Sequence, residues 1–322
     1  MSNRLREIAS ALAGNMGLVG IADVHMLTRS GAYEPYSYWE QWSHADKPSF
    51  HTDIETALGL MTGGRNDVLL VSPDSHSQAD AITWDKNITH LIGMYPPSMM
   101  SMRSRIGHSA ALTHLMSVTG YGGFFANLLF QFGYSRSATD LDAVKISGNR
   151  TSWYKCHFAS PMQEPQANSA DFHVLNLSET SGGDGLEHYF NHCTIGADTV
   201  AWTNGVMIKY SGTPRMVFED CNLIMRADNA QVIFMDGTVG DGAGFVIFKN
   251  CLLHNLGTTL TLGLGSTGLA SATDYLFAGK TTMGGVTDVI AAADEAKVFL
   301  PSAVGVTEDI YAGLSINPDH TA

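Results

Sequence analysis

Gly244–Asn255 reads GFVIFKNCLLHN, and the same pattern occurs four more times upstream. Aligned on its cysteine, the other copies are MVFEDCNLIM (Met216–Met225), HYFNHCTIG (His188–Gly196), SWYKCHFAS (Ser152–Ser160) and FFANLLFQF (Phe124–Phe132). An aromatic lies three positions before the key residue: Phe125, Trp153, Phe190, Phe218 and Phe248. The key residue itself is Leu128, Cys156, Cys193, Cys221 or Cys251. An apolar residue follows two positions later: Phe130, Phe158, Ile195, Leu223 and Leu253. Key residues are 28, 37, 28 and 30 positions apart, a near-fixed period that marks a repeat architecture.

The position just before the key residue holds Asn127, Lys155, His192, Asp220 and Asn250. Asn, Asp and His are the non-glycine residues that best tolerate positive φ. Alternation runs through Val246 and Phe248, then resumes out of phase at Cys251 and Leu253. A strand that changes phase across such a residue bends sharply. A third apolar run precedes each key residue: Met116/Val118, Val144/Ile146, Val174/Leu175/Leu177, Val206/Ile208 and Val232/Phe234. Three short strands per coil, repeated at this period, predict an all-β chain: a single-stranded right-handed parallel β-helix. Units such as FVIFKNCLL and MVFEDCNLI resemble those of the pectin-lyase-like β-helix superfamily. The resemblance runs from about Asp67 to Lys280 and concerns the scaffold, not a catalytic motif.

Around this core the chain divides into an N-terminal arm and aromatic loop (1–49), the β-helix with a helical cap (50–300) and a C-terminal tail (301–322). Leu5, Ile8, Ala9 and Leu12 have helical spacing, predicting a short amphipathic helix over 3–13 that caps the domain or docks on a partner. Tyr33–Trp42 is an aromatic cluster. Phe50–Met61 reads as a helix ended by Gly63 and Gly64, followed by a buried strand over Asp67–Ser72 and a polar turn over Pro73–Asp80. Strands follow at Ala81–Trp84 and Ile88–Met94. The run DIETALGLMTGGRNDVLLVSPDSH, then ITWDKNITHLIGM, resembles the N-terminal cap and first coil of pectin-lyase-like proteins. Tyr95–Arg105 reads as a methionine-rich loop. Leu260/Leu262 and Tyr275–Phe277 suggest a degenerate sixth coil, Val286–Lys297 a helix, and Val298–Leu300 a terminal strand.

The composition excludes several classes. A net charge of −13 argues against a nucleic-acid-binding surface. The hydrophobic fraction of 44% with 33 glycines fits a folded, turn-rich β protein. No run of apolar residues is long enough to span a membrane, and the first twenty residues do not read as a signal peptide. All four cysteines fall in one repeat column, which predicts a ladder of buried thiols rather than disulfides or a zinc site. Asn87, Asn149 and Asn176 open glycosylation-type triplets that carry no weight without a secretory signal.

No catalytic, cofactor-binding or metal-binding residue is assigned. The acidic and basic motifs of polygalacturonase-like and pectate-lyase-like sequences are missing. Asp140, Asp142, Asp184, Asp236 and Asp241 are scattered over different coils. Glu219 and Asp220 form an adjacent acid pair, but Asp220 occupies the corner column. Asp236 and Asp241 flank one loop without a further partner. His188 and His192 do not share a face in a strand and corner unit, and His108 and His114 lack partners. The expectation is therefore a structural protein, not an enzyme. Such solenoids resemble virion components of tailed bacteriophages, which implies a capsid-decorating or tail-associated homotrimer made in the host cytoplasm. Attachment is expected through the termini and the Tyr95–Arg105 loop. The alternatives are a β-helix polysaccharide lyase or hydrolase, and a non-catalytic glycan-binding β-helix using Tyr36, Tyr38, Trp39 and Trp42.

Overall fold

The computed structural model describes residues 21–28, 49–95, 104–133, 141–178, 186–238, 244–265, 273–299 and 315–317. The chain is a parallel β-solenoid of about six turns with very little helix, as the repeat predicts. Among the described residues, three parallel sheets of eleven, nine and six strands form its walls. They are called sheets A, B and C. One coil runs from sheet C (His114–Val118) to sheet A (Phe124–Ala126) to sheet B (Leu129–Gln131), and then back to sheet C (Asp142–Ile146).

The repeat columns are the interior. Phe125, Trp153, Phe190, Phe218, Phe248 and Phe277 point inward from sheet A and stack coil on coil, with successive ring centroids 4.1, 6.1, 4.8, 5.3 and 5.4 Å apart. Phe130, Phe158, Ile195, Leu223, Leu253 and Met283 form the matching column on sheet B. Each fully buried side chain of this size contributes about 1.5–3 kcal/mol. On sheet C the inward column ends differently. Tyr210 lies beside Gly237, where a β-carbon would come within 2.1 Å of the Tyr210 ring. The glycine makes room for the ring, whose hydroxyl meets that of Tyr275 at 3.2 Å.

In the five repeat coils the corner between sheets A and B is two residues long. Asn127, Lys155, His192, Asp220 and Asn250 all have φ between 50° and 56°. Their backbones continue the ladder from coil to coil: Lys155 N–H donates to Asn191 O at 2.9 Å, and Asp220 N–H to Lys249 O at 2.9 Å. The next residue turns inward. All four cysteines are free and buried, and each thiol lies against the aromatic-column carbonyl of the preceding coil, as Cys251 Sγ does with Phe218 O at 3.2 Å. Thr281 continues the column, its hydroxyl donating to Phe248 O at 3.1 Å.

Several boundaries differ from the sequence reading. The cap helix is Ile54–Leu60, because Asp53 caps it by accepting from Thr56 N–H at 2.7 Å, and Phe50 belongs to a strand beside Met26. Its Ile54, Ala57 and Leu58, with Met61, close the core end on Leu27, Leu69 and Trp84. The segment read as a polar turn contains the strand Ser75–Gln78. Its buried residues are His76 and Gln78, polar where alternation looks for apolar side chains, and Gln78 accepts from Ile54 N–H at 3.3 Å. Arg105 is the first residue of a strand, Arg105–His108, not the end of a loop. Val286–Lys297 splits into a strand, Val286–Asp288, and a 3₁₀ turn, Ala292–Lys297, because Val286 pairs with Leu260 in a small sheet. The sheets also reach beyond 50–300: Val24–Leu27 joins sheet A and Ser315–Asn317 joins sheet B. The helix over 3–13 and the Tyr33–Trp42 cluster lie outside the described residues, as do residues 96–103 of the methionine-rich loop.

Candidate functional site

Function on a solenoid gathers where the connections vary in length. In the five repeat coils the corner from A to B is two residues long, as at 127–128, 155–156 and 220–221. Connections from sheet C to sheet A run 119–123, 147–150, 179–185, 212–213 and 239–243. Those from sheet B to sheet C run 132–141, 160–172, 196–205 and 226–232. Both of these sets border sheet C, and one further long connection, 94–104, runs from sheet A to sheet B.

The outer face of sheet C is polar. Pairing puts Ser117, Lys145, Asn176, Lys209 and Asp236 opposite one another on five successive strands. Each sits between two inward apolar positions, so its side chain points out. Neighbours in this row are spaced at the strand separation, about 4.8 Å. Among the described residues, neither Lys145 nor Lys209 has a carboxylate within ion-pair distance. This separates them from Arg150, Arg215 and Lys249, which pair with Glu187 and Glu219 on sheet A.

A second row, His114, Asp142 and His173, runs beside the first. Asp142 accepts from His173 Nδ1–H at 2.8 Å and from Asn176 Nδ2–H at 3.0 Å. The His173 and Asp142 side chains are only 5% and 10% exposed, so the pair braces the row rather than opening onto solvent. Burial lowers the His114 pKa against the pull of Asp142.

The residues singled out in the sequence are not brought together. Glu219 accepts from the Tyr189 hydroxyl and pairs with Lys249 on the outside of sheet A; the Lys249 ammonium lowers its pKa. Asp220 is in the corner with φ 53°. His188 is enclosed beside Thr151, whereas the His192 side chain is half exposed at the corner. Asp236 lies on sheet C, while Asp140, Asp184 and Asp241 lie outside the described residues. Asn87 and Asn149 hold backbone N–H groups of the next coil, Tyr121 and Glu187, at 3.0 Å each. No group of three or more His, Cys, Asp or Glu side chains could hold a metal ion among the described residues. Lys145 and Lys209 went unnoticed in the sequence. Their signal is a cation between two apolar residues of an inward pair, as in Val144–Ile146 and Ile208–Tyr210.

A pectin methylesterase from Yersinia enterocolitica has a similar structure: TM-score 0.50 at 13% identity, over 74% of this chain and 81% of that one. The likeness is one of fold. A pectin methylesterase from Aspergillus niger gives 0.49 at 12% identity over 92% and 85%, and a pectate lyase gives 0.48 at 11% identity over 83% and 64%. No protein-family model and no curated protein matches the sequence. These neighbours are parallel β-helices of pectin methylesterase and pectate lyase, and none of them carries the bacteriophage resemblance.

Proposed function

We propose that this chain is a carbohydrate-directed β-helix that holds an acidic polysaccharide along the outer face of sheet C. The observation that carries this is the row Lys145, Asn176, Lys209, with two ammonium groups that, among the described residues, are outside any ion pair and have one strand between them. Two strand spacings, about 10 Å, set the lysines at an interval a polymer bearing regular carboxylates can meet. Asn176 and Ser117 supply hydrogen bonds between and beside them. The overall charge of −13 opposes a polyanion at long range. Screening within about 8–10 Å at physiological salt leaves the local lysines to decide. Cleavage is assigned to no described residue, because Asp142 and His173 are enclosed. The test is retention on polygalacturonate in affinity electrophoresis. The Lys145→Gln, Lys209→Gln double variant is expected to lose retention at least tenfold. Unimpaired retention of that variant, or none by the parent, would sink the reading. Reducing-end and unsaturated-product assays on the same polymer separate a hydrolase or lyase from a binding protein.

A second reading, that the chain acts by packing against copies of itself, rests on a different observation. Tyr189, Val217, Ile247, Leu276 and Phe299 form one outward column on sheet A. Tyr189 is 38% and Phe299 48% exposed. Such a stripe fits packing against symmetry mates. Light scattering decides it: a trimer that Ile247→Lys dissociates supports assembly, and a monomeric parent chain removes it.

A further inference from the structure

Sheet B carries a cleft that the sheet C reading does not use. Its outer face at the N-terminal coils is built by Ser75–Gln78, Arg105–His108 and Leu129–Gln131, paired in that order. Between them lies a cavity of about 180 Å³ lined by Arg105, Gln131, Ser75, Ser77, His108 and two glycines.

Arg105 is held in place by neutral groups. Its Nε–H donates to Ser75 Oγ at 2.9 Å and its Nη1–H to Gln131 Oε1 at 2.7 Å. No carboxylate touches it among the described residues, and burial lowers its pKa in spite of the attraction of Asp74. Asp74 is turned toward the backbone, accepting from Ser75 N–H at 2.7 Å. The guanidinium is thus pre-oriented and its charge is not neutralised by contact. Its remaining N–H groups, the Ser77 hydroxyl and the Gln131 amide nitrogen have no protein partner among the described residues. His108 is a wall, not a reactant. Ala110 O takes its Nδ1–H at 2.7 Å, so Nε2 is the acceptor for Gly133 N–H at 2.8 Å, and the ring stacks on Phe132. Gly107 leaves the floor open: a β-carbon there would meet only Gln131 O, at 3.6 Å.

We infer that this cleft binds the carboxylate of a single sugar acid. One fixed guanidinium matches one negative charge, and its planar fork suits a carboxylate. The unmet groups around it are donors, which calls for a ligand rich in acceptor oxygens. Ser77 and Gln131 fit the ring hydroxyls that accompany the carboxylate. The site lies on sheet B and needs nothing from Lys145 or Lys209.

The test is calorimetric titration of the full chain with sodium galacturonate, with galactose and inorganic phosphate run in parallel. Saturable galacturonate binding is expected, with a Kd of about 1 mM or tighter, and at least tenfold weaker binding of galactose and phosphate. Arg105→Gln should weaken galacturonate tenfold or more. Gly107→Val should do the same by filling the cleft, with an unchanged circular dichroism spectrum and melting curve. The Lys145→Gln, Lys209→Gln variant should bind galacturonate like the parent, which separates this site from the sheet C row. Absence of saturable binding by the parent, equal binding of galactose, tighter binding of phosphate, or full binding by folded Gly107→Val would overturn the inference.

Discussion

Phe218 and Phe248 stack across neighbouring coils, with ring centroids 5.3 Å apart and planes 17° from parallel. Both are fully buried. Phe248→Ala should therefore cost about 3–5 kcal/mol, read from chemical denaturation. A loss near zero would contradict the register of sheet A.

Asn250 does two jobs at its corner. It holds φ at 54°, and its Oδ1 accepts from Lys280 N–H at 3.0 Å in the next coil. Asn250→Ala removes both, for about 2 kcal/mol in all. Asn250→Gly keeps the backbone conformation and should cost less. Equal losses for the two variants would show that positive φ is not what selects asparagine there.

The four thiols should be inert in the folded protein. Burial pushes the Cys193 and Cys221 thiols well up, and contact with Cys221, with burial, does so for Cys251. Thiolate is the reactive form. Native protein treated with iodoacetamide should stay unlabelled under conditions where the denatured chain takes up four groups, counted by mass spectrometry. Rapid labelling of native protein would place the cysteine column outside the core.

Stability should fall in mild acid. Burial lowers the pKa of His90 and of His188 from 6.5 to about 4. His90 donates to Asn66 Oδ1 and accepts from Phe124 N–H, so it is held neutral. Thr151 Oγ1 accepts from Trp153 Nε1–H and meets His188 Nδ1 at 2.9 Å. Between pH 6.5 and about 4 the unfolded chain binds protons at these positions and the folded chain does not. The folded state therefore loses up to about 1.4 kcal/mol per pH unit per histidine as pH falls through this window. Urea titrations at stepped pH measure the slope, and His188→Leu should flatten it. A pH-independent midpoint would mean neither histidine is enclosed.

The interior was legible in the sequence because every coil repeats the same demand: an aromatic, a corner residue tolerant of positive φ, a small apolar side chain. Elements whose buried residues are polar were not. Ser75–Gln78 shows no apolar alternation, yet His76 and Gln78 are buried, with Gln78 accepting from the cap helix backbone and His76 meeting Ser72 O at 3.1 Å. Val286 pairs with Leu260 instead of starting a helix, since a strand partner outweighs a weak local periodicity.

Sequence alone determined the coil, the cysteine column and the corner, since these rest on residue type at fixed spacing. It left the outer faces undecided. Lys145 and Lys209 are 64 positions apart and unremarkable in the sequence, but parallel register sets both beside Asn176. Arg105 meets Ser75 and Gln131 from two other coils for the same reason. Core positions answer to a local period. A surface site is assembled across coils, where strand register and loop length decide which side chains become neighbours.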